Sequence, residues 1–363
     1  MKYVFQLNHP AHYHLVKNVM SELKKHGHDV SVVARGKDVL EDLLVNERYI
    51  MIKQKKGDNL FEKFKKLRAS KKELFEIIVD QNPDAVIGTG MFGFLTRKMG
   101  IKTFFLGEDD ATANFMLFAS SLAAYGGFTE ILSPVVCDNS LWNKKTVKYS
   151  SYHELAYLHP NHFSPNRAAV EKYFSVKKPY FILRFAKLNA YHDLGIKGIN
   201  TEIAQHLIDQ LKPYGDIYIT SERELEPQFE QYRIQINPLD MHHVMAFAQL
   251  YIGDSQTMAA ESGVLGVPFV RFNDFVGKIG YLRELEDVYH LGYGVKTDEV
   301  ERLYKTVDDL LSMPNRVEVF QERRQKMLSE KIDYAQFLTW FIENYPESKR
   351  IMKENPDYQY RFK

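Results

Sequence analysis

Short apolar runs alternate along this chain with longer stretches in which apolar residues recur at helical spacing. An apolar run bounded by glycine, proline or polar residues predicts a strand, and apolar positions three and four apart predict a helix. The predicted strands are residues 3–7, 30–34, 84–88, 102–106, 180–184, 217–220, 250–252 and 269–272. The predicted helices are residues 14–26, 94–99, 111–123, 201–211, 258–265, 300–313 and 317–345. Because strands and helices alternate, we predict an α/β protein with parallel sheets.

This alternating pattern starts twice, which indicates two domains. The N-terminal strand–helix–strand unit is typical of a doubly wound fold, and a second series begins at residue 180. Pro160, Pro165 and Pro179 interrupt the chain between the two series. We therefore predict an N-terminal domain at residues 1–165, a C-terminal domain at residues 166–330, and a last segment at residues 331–363. That segment would contain one more helix and a charged, aromatic tail.

The stretch from residue 250 to residue 273 combines a strand, a polar loop, a helix and a second strand. Its loop contains Ser255, Gln256 and Thr257 directly before the predicted helix. Hydroxyls and backbone N–H groups at a helix N-terminus attract anions, because the helix dipole and the unpaired N–H groups both favour negative charge. Glu261 follows about one turn later, where a carboxylate can accept hydrogen bonds from a ribose. The alternative is that Ser255 and Thr257 only cap the helix and that Glu261 is a solvated acid.

Three consecutive acids, Glu108, Asp109 and Asp110, follow the predicted strand 102–106. Open α/β sheets bind ligands beyond the carboxyl ends of their strands, so acids at this place are candidate functional groups. One of the three could act as a general base that deprotonates an acceptor hydroxyl. Asp109 or Asp110 could also cap the predicted helix 111–123, and the two roles are compatible.

A cluster of histidines follows the first predicted strand. His9, His12 and His14 lie within six residues, and each alone is typical of a polar loop, whereas three together favour a function for one of them. No cysteine or second cluster partners them, so we predict no metal site.

Asp254–Ser255, then Glu261, then Leu265–Gly266–x–Pro268 resembles the donor-site segment of GT-B-type sugar-nucleotide enzymes. The spacing is similar to that of the non-hydrolysing UDP-GlcNAc 2-epimerases and of the UDP-GlcNAc transferase that makes lipid II. Those families usually have two glycines where this chain has Gln256–Thr257. Over nearly its full length the chain most resembles an uncharacterised family of predicted glycosyltransferases, domain of unknown function 354.

The resemblance implies two Rossmann-like domains that face each other across a cleft. The C-terminal domain would bind a nucleoside-diphosphate sugar and the N-terminal domain an acceptor, with the helix 333–345 crossing back to the first domain. The resemblance places the diphosphate on Ser255, Gln256, Thr257 and Arg184, the ribose on Glu261, and the donor sugar near Asn273 and Asp274. Arg184 could instead form a salt bridge within its domain. His12 matches a histidine of the lipid II transferase, which makes it a second candidate base.

We therefore predict a metal-independent glycosyltransferase of surface polysaccharide or glycoconjugate synthesis, with a nucleotide sugar as substrate and no further cofactor. One alternative is a UDP-GlcNAc 2-epimerase-like enzyme, although this chain lacks the His-Arg-x-Glu-Asn run of that family near Arg184. Another alternative is a non-catalytic sugar-nucleotide-binding protein. The absence of the glycines that related families have in their phosphate-binding turn favours it.

Composition adds constraints on location and partners. The 363 residues carry a net charge of +1, which argues against nucleic acid as a partner. The single cysteine, Cys137, excludes an internal disulfide and suits a reducing cytoplasm. We expect no signal peptide and no membrane span. The lysine-rich segment 53–72 predicts either a solvated amphipathic helix or peripheral contact with the inner membrane face and a lipid-linked or saccharide acceptor.

Overall fold

The computed structural model describes residues 1–35, 38–52, 60–90, 92–113, 115–186 and 198–363. The chain forms two units. The first contains Met1–Tyr157 and Ile332–Lys363, and the second contains Leu158–Lys331. The chain therefore leaves the first unit after Tyr157 and rejoins it at Ile332.

Strands and helices alternate through both units, as the apolar pattern predicts. The strands are β1 (Lys2–Leu7), β2 (Asp29–Arg35), β3 (Tyr49–Ile52), β4 (Ala85–Gly88), β5 (Lys102–Leu106), β6 (Glu130–Pro134), β7 (Thr146–Tyr149), β8 (Tyr180–Phe185), β9 (Asp216–Ser221), β10 (Leu250–Gly253), β11 (Phe269–Phe272) and β12 (Gly292–Val295). The helices are α1 (Pro10–Lys25), α2 (Asp38–Leu43), α3 (Leu60–Gln81), α4 (Phe94–Met99), α5 (Phe115–Ala124), α6 (Leu155–Leu158), α7 (Arg167–Val170), α8 (Thr201–Leu211), α9 (Met241–Ala246), α10 (Gln256–Val264), α11 (Gly280–Arg283), α12 (Val300–Leu311), α13 (Arg316–Glu330), α14 (Tyr334–Glu343) and α15 (Glu347–Glu354).

Within the described residues, the first unit contains a seven-stranded sheet in the order β3-β2-β1-β4-β5-β6-β7. All neighbouring strands in this sheet are parallel. The strand order reverses between β1 and β4, and a ligand site is expected beyond the carboxyl ends of the strands at such a point. Gly88 ends β4 there. A Cβ on Gly88 would lie 2.2 Å from the carbonyl oxygen of Gln6, so the close approach of β4 to β1 requires glycine.

The second unit contains, within the described residues, a five-stranded sheet in the order β12-β11-β10-β8-β9. Its strands are also parallel. The order reverses between β10 and β8, where Gly253 is in register with Arg184. Both central strands are buried apolar runs because helices cover both faces of a parallel sheet.

The end of the chain differs from the prediction. The helical stretch 317–345 consists of two helices, because α13 ends at Glu330 and Asp333 caps α14 by accepting the Gln336 N–H at 3.1 Å. The predicted helix 333–345 corresponds to α14. The predicted tail is instead helical, with α15 and a 3₁₀ turn at Pro356–Phe362. The Gln359 side chain is buried and accepts the Ser150 N–H at 2.6 Å, which ties this turn to the first unit.

The division between the units falls a few residues before the predicted position at 165. Phe163 explains the difference, because its ring stacks on His243 of the second unit at 4.8 Å. The proline-rich segment therefore packs with the second unit from Leu158 onwards.

Among the helices of the described residues, none combines the length and the apolar content that a membrane span requires. Of the basic segment 53–72, residues 53–59 lie outside the described residues, and the remainder forms the first part of α3.

Candidate functional site

A polar cluster lies at the carboxyl ends of four strands of the first unit. His12 follows β1, Thr89 follows β4, Glu108 follows β5 and His153 follows β7. The carboxyl ends of parallel strands meet at one edge of a sheet, which is why residues so far apart in sequence come together. We call these four residues the first-unit cluster.

The three N-terminal histidines have different surroundings. His9 caps α1, since its Nδ1 accepts the Ala11 N–H at 3.2 Å. His14 is buried with its ring 5.4 Å from that of Tyr157. His12 alone joins the first-unit cluster, with its Nδ1 2.8 Å from the Thr89 hydroxyl.

His12 is held in its neutral form. Burial, reinforced by the repulsion that a protonated His12 would meet from His9 and His153 in their protonated forms, lowers the pKa of His12 to about 3. The Asn8 N–H donates to His12 Nδ1 at 3.2 Å, so the proton of the neutral ring lies on Nε2. A histidine with this pKa is a weak base at neutral pH and a suitable hydrogen-bond donor.

Glu108 has the surroundings of a strong carboxylate base. Its Oε1 accepts the His153 backbone N–H at 2.7 Å, and its Oε2 lies 3.2 Å from His153 Nδ1. Burial, followed by the charges of Glu154 and Asp109, raises the pKa of Glu108 well above its ordinary value. Burial also lowers the pKa of His153 to about 3, so this ring is neutral. Glu108 is therefore the best candidate for proton transfer among the predicted acids.

The other two acids of the triplet have different environments. Asp109 is exposed. Asp110 is buried, and its Oδ1 accepts the Asp138 N–H at 2.8 Å, so it orders the turn that follows β6. Neither caps the predicted helix 111–123, because α5 begins only at Phe115.

Thr89, His153 and Glu154 were not among the residues predicted for the site. The last two follow β7, whose four residues alternate in burial at the edge of the sheet and were not predicted as a strand. The available signal in the sequence was a histidine and an acid shortly after a short segment in which apolar and polar residues alternate.

In the second unit, the loop after β10 leads directly into α10. Ser255 is the N-cap residue, and its hydroxyl accepts the Met258 N–H at 3.4 Å. Gln256 and Thr257 form the first turn of the helix, two residues earlier than the predicted start. Three of the predicted donor-binding residues are therefore neighbours at one helix N-terminus.

Asp254 organises the backbone around this loop. Its Oδ1 accepts the Ala186 N–H at 2.6 Å, and its Oδ2 accepts the Ile199 N–H at 3.3 Å. Burial raises the pKa of Asp254 to about 6, although these two N–H groups oppose the shift. The carboxyl group thus joins three segments of the chain beside the predicted phosphate loop.

Glu261 is not the solvated acid of the alternative interpretation. Its side chain is buried, and its Oε1 lies 2.9 Å from Nε2 of the equally buried His242. Glu261 lies four residues, about one helical turn, after Thr257, so the two residues share one face of α10.

The remaining predicted donor-binding residues have partners within the unit. Arg184 forms a salt bridge with Glu222, as the alternative interpretation proposed. Buried Asn273 donates from Nδ2 to the Asp254 carbonyl at 3.1 Å and accepts the Phe275 N–H at 3.0 Å. Asp274 accepts a hydrogen bond from the Thr297 hydroxyl. Asn273 therefore stabilises the loop after β10 through its hydrogen bond to the Asp254 carbonyl.

Within the described residues, no group of three or more histidine, cysteine, aspartate or glutamate side chains could hold a metal ion. Metal independence of the reaction stays a prediction.

The chain belongs to the family described as protein of unknown function DUF354, whose model matches residues 2–290. The family resemblance seen in the sequence is thereby confirmed. Among curated proteins there is no match to the sequence.

Solved structures with a similar fold span nearly the whole chain. MnaA from S. aureus, solved with UDP, is 12% identical at a TM-score of 0.67, and the match covers 96% of this chain and 97% of MnaA. UDP-GlcNAc 2-epimerase from Neisseria meningitidis, bound to UDP-GlcNAc, is 14% identical at a TM-score of 0.60, covering 96% and 99%. The calicheamicin glycosyltransferase CalG4 is 12% identical at a TM-score of 0.56, covering 95% and 99%. These similarities confirm the predicted α/β, GT-B-like fold.

Proposed function

We propose that this member of the DUF354 family is a glycosyltransferase that moves a sugar from a nucleoside-diphosphate sugar to an acceptor hydroxyl. We assign it to surface polysaccharide or glycoconjugate synthesis. The observation that carries the proposal is the Glu108 carboxyl group at the carboxyl ends of the first sheet's strands. Its side chain is 10% exposed, its pKa is raised, and it accepts the His153 N–H. A carboxylate of this kind suits the deprotonation of a hydroxyl.

In this proposal the second unit binds the donor. The first turn of a helix presents N–H groups that have no acceptor within the helix, and the helix dipole adds positive potential. The diphosphate would lie there on Ser255, Gln256 and Thr257, with Arg184 exchanging its Glu222 partner for phosphate oxygens. Glu261 would accept the ribose hydroxyls. Relatives of similar fold were solved with UDP and with UDP-GlcNAc, which supports a uridine donor.

Two further residues near the loop after β10, Asn273 and Asp274, are candidates for binding the donor sugar. Asn273 and Asp274 follow β11, the strand next to β10 in the sheet. We assign the donor-sugar hydroxyls to this pair, with Asn273 acting mainly through the loop backbone that it supports.

The first unit would activate the acceptor. Glu108 takes the proton of the acceptor hydroxyl, the oxygen forms a bond to the anomeric carbon, and the bond from that carbon to the diphosphate breaks. The leaving diphosphate keeps the electron pair, and the α10 N–H groups and Arg184 stabilise its charge. The neutral His12 would turn its Nε2–H from the Thr89 hydroxyl, which lies 3.1 Å from Nε2, to the bound acceptor or sugar. Asp109 contributes negative charge near Glu108.

Acceptor class and membrane contact are further parts of the proposal. A lipid-linked or saccharide acceptor would suit peripheral attachment to an anionic membrane through residues 53–72. Lysines in this segment are interspersed with phenylalanine and leucine, the composition of a membrane-surface helix.

The second candidate function is 2-epimerisation of UDP-GlcNAc, which the fold similarity to the Neisseria meningitidis epimerase favours. The absence of a His-Arg-x-Glu-Asn run near Arg184 argues against it. The two functions give different products. A transferase forms a glycosylated acceptor, whereas an epimerase forms the 2-epimer of its own substrate and needs no acceptor.

The proposal is tested first by thermal unfolding with UDP-, GDP-, CMP- and dTDP-sugars. A donor present at 100 times its dissociation constant should stabilise the protein by about 2.7 kcal/mol. The donor that binds is then incubated with saccharide and lipid-linked acceptors, with and without EDTA, and the products are separated. Acceptor-dependent release of the nucleoside diphosphate in EDTA supports a metal-independent transferase. A 2-epimer formed without acceptor establishes the epimerase, and binding without any turnover establishes a sugar-nucleotide-binding protein.

A further inference from the structure

His242 and Glu261 form a buried pair beside the proposed nucleotide site. His242 belongs to α9 and Glu261 to α10, and the two residues are 4% and 5% exposed. His242 Nε2 lies 2.9 Å from Glu261 Oε1. Two such polar side chains lose their contacts with water on folding, so their mutual hydrogen bond contributes to holding both in place.

The chemistry of the two groups fixes the direction of the hydrogen bond. An ionised carboxylate only accepts, so the proton between the two groups is carried by Nε2 of His242. A carboxylate has about four acceptor positions on its two oxygens. The bond from His242 therefore occupies one of these positions and orients the carboxylate.

The His242 ring is itself fixed by packing. The Phe163 ring meets it edge-on at 6.3 Å and stacks on the neighbouring His243 at 4.8 Å. The Asn166 N–H donates to His243 Nδ1 at 3.2 Å. The donor to Glu261 thus comes from a ring that is held by aromatic packing, so it can hold the carboxylate in one rotamer.

The location of the pair explains why a fixed orientation of the Glu261 carboxylate matters. Glu261 is on the helix that Ser255 caps, four residues after Thr257 and on the same face, and the diphosphate is proposed to lie at that first turn. A ribose is the next group of a nucleotide beyond its phosphates. Recognition of its hydroxyls requires a carboxylate at a defined position rather than one free to rotate.

We propose that His242 is a positioning residue for nucleotide binding, which holds the Glu261 carboxylate in the orientation that accepts the ribose hydroxyls. This inference rests on the proposed function, because it needs Glu261 to meet a nucleotide. It adds that recognition of the ribose depends on a residue that does not itself contact the ligand.

The test uses two substitutions of His242 that introduce the same amide group at different places. In His242→Gln the side-chain amide nitrogen lies near the former Nε2 position and can still donate to Glu261. In His242→Asn the shorter side chain places its amide near the former Nδ1 position and cannot. Glu261→Gln and His206→Gln are the reference variants, and His206 is an exposed residue of α8. Calorimetry measures binding of UDP, GDP, ADP and CDP, and of the 2′,3′-dideoxy counterpart of the nucleotide that binds best.

The quantity compared is the ratio of dissociation constants for the dideoxy and the ordinary nucleotide. In the wild type we expect a ratio of roughly 10 to 150, which corresponds to a charge-assisted hydrogen bond. His242→Gln and His206→Gln should keep this ratio. His242→Asn should reduce it to about threefold or less, as should Glu261→Gln, while affinity for the dideoxy nucleotide stays near that of the wild type. Loss of structure alone would weaken both nucleotides equally and leave the ratio unchanged.

A wild-type ratio in a folded His242→Asn variant overturns the inference and leaves the proposed function standing. If neither these four nucleotides nor dTDP binds the wild type, the proposed function fails and the inference fails with it. If His242→Asn does not fold, as judged by circular dichroism, the imidazole ¹⁵N signal of His242 in the wild type decides. It should move on addition of the ordinary nucleotide and not of the dideoxy form, and equal movement with both overturns the inference.

Discussion

Glu108 and His153 meet through two contacts: the His153 backbone N–H lies 2.7 Å from Glu108 Oε1, and the His153 Nδ1 lies 3.2 Å from Glu108 Oε2. Glu108 follows β5 and His153 follows β7, so the pair joins the ends of two strands between which β6 lies. A carboxylate held at both oxygens has a fixed orientation. This arrangement suits a base that takes a proton from a bound hydroxyl.

We predict that Glu108→Gln lowers donor turnover by about 10²–10⁴-fold and leaves donor affinity near normal. The amide keeps the size of the carboxyl group and removes its basicity. Glu73→Gln is the matched control, because it makes the same change at an exposed position of the same unit. Asp109→Asn should have a smaller effect than Glu108→Gln, because Asp109 acts through its charge near Glu108. His12→Ala and Asp110→Asn complete the set, measured by donor release and by calorimetry. Turnover at the wild-type rate in Glu108→Gln would place the base elsewhere.

The pH dependence of the same reaction gives an independent check. Burial and the neighbouring acids raise the pKa of Glu108 above its ordinary 4.5, so turnover should rise with pH through a pKa higher than 4.5. In Glu108→Gln this rise of turnover with pH should be absent.

Most internal strands could be predicted from the sequence, although β6 was not. Of the four edge strands of the described sheets, β9 was predicted and the other three were not. β1 and β8 are buried on both faces and appear as unbroken apolar runs. β3, β7 and β12 are edge strands of four residues in which buried and partly exposed positions are mixed. Runs this short carry too little periodicity to be distinguished from a loop.

Residues of the candidate site could be predicted where they belong to one short sequence motif. They could not be predicted where they meet only through the fold. Ser255 and Glu261 belong to one short segment, and their common helix followed from its pattern. His153 lies 45 residues after Glu108, and their contact depends on the order of strands in the sheet. His242 is paired with Glu261 across two helices, a relationship that sequence spacing does not encode.

Glu261→Ala should weaken nucleotide binding by about 1.5–3 kcal/mol, because a charge-assisted hydrogen bond to the ribose is lost. It should also lower the free energy of unfolding by about 1–3 kcal/mol, since His242 is buried and loses a partner. Calorimetry and urea denaturation measure the two effects. Glu202→Ala, at an exposed position of α8, is the control and should change neither quantity. Unchanged affinity in Glu261→Ala removes the ribose assignment.

We predict that residues 53–72 bind anionic membranes weakly and that salt abolishes the binding. The lysines attract anionic headgroups over a distance set by the Debye length, which is about 10 Å at 0.1 M salt and about 3 Å at 1 M. Co-sedimentation with phosphatidylserine vesicles at low and high salt measures the effect. Neutral phosphatidylcholine vesicles and a variant with Lys55, Lys56, Lys63 and Lys65 changed to glutamine are the controls. Equal binding of that variant, or binding that persists at high salt, contradicts the prediction.

Arg271→Met should lower the stability of the second unit by about 3–5 kcal/mol. Arg271 is fully buried, and its Nε and Nη2 donate to Glu286 Oε1 at 3.0 and 2.8 Å. Removing the arginine leaves a buried carboxylate without its counter-charge. The double variant Arg271→Met, Glu286→Leu should recover more than half of the loss, because it removes the unpaired charge.

The two variants can be measured without interference from the first unit. Both tryptophans, Trp142 and Trp340, belong to the first unit, so their fluorescence reports its unfolding, while far-ultraviolet circular dichroism reports both units. The single variant should shift the dichroism transition and not the fluorescence transition. A single variant as stable as the wild type would show that Glu286 takes up a proton or another partner at little cost.

The last prediction concerns pH and Asp254. Burial raises the pKa of Asp254 from 3.8 to about 6 in the folded protein, so the folded state favours the protonated form more than the unfolded state does. The stability that this group contributes is therefore fully present below pH 3.8 and is lost as the pH rises through about 6. The difference between the two pKa values corresponds to about 3 kcal/mol. Asp254→Asn cannot titrate, so the stability of the wild type relative to this variant should fall by about that amount between pH 4 and pH 7.5. Urea denaturation of both proteins, followed by circular dichroism at intervals of half a pH unit, measures the difference, and all other titrating groups cancel from the comparison. A constant difference across this range would show that the N–H groups of Ala186 and Ile199 offset the burial of the carboxylate.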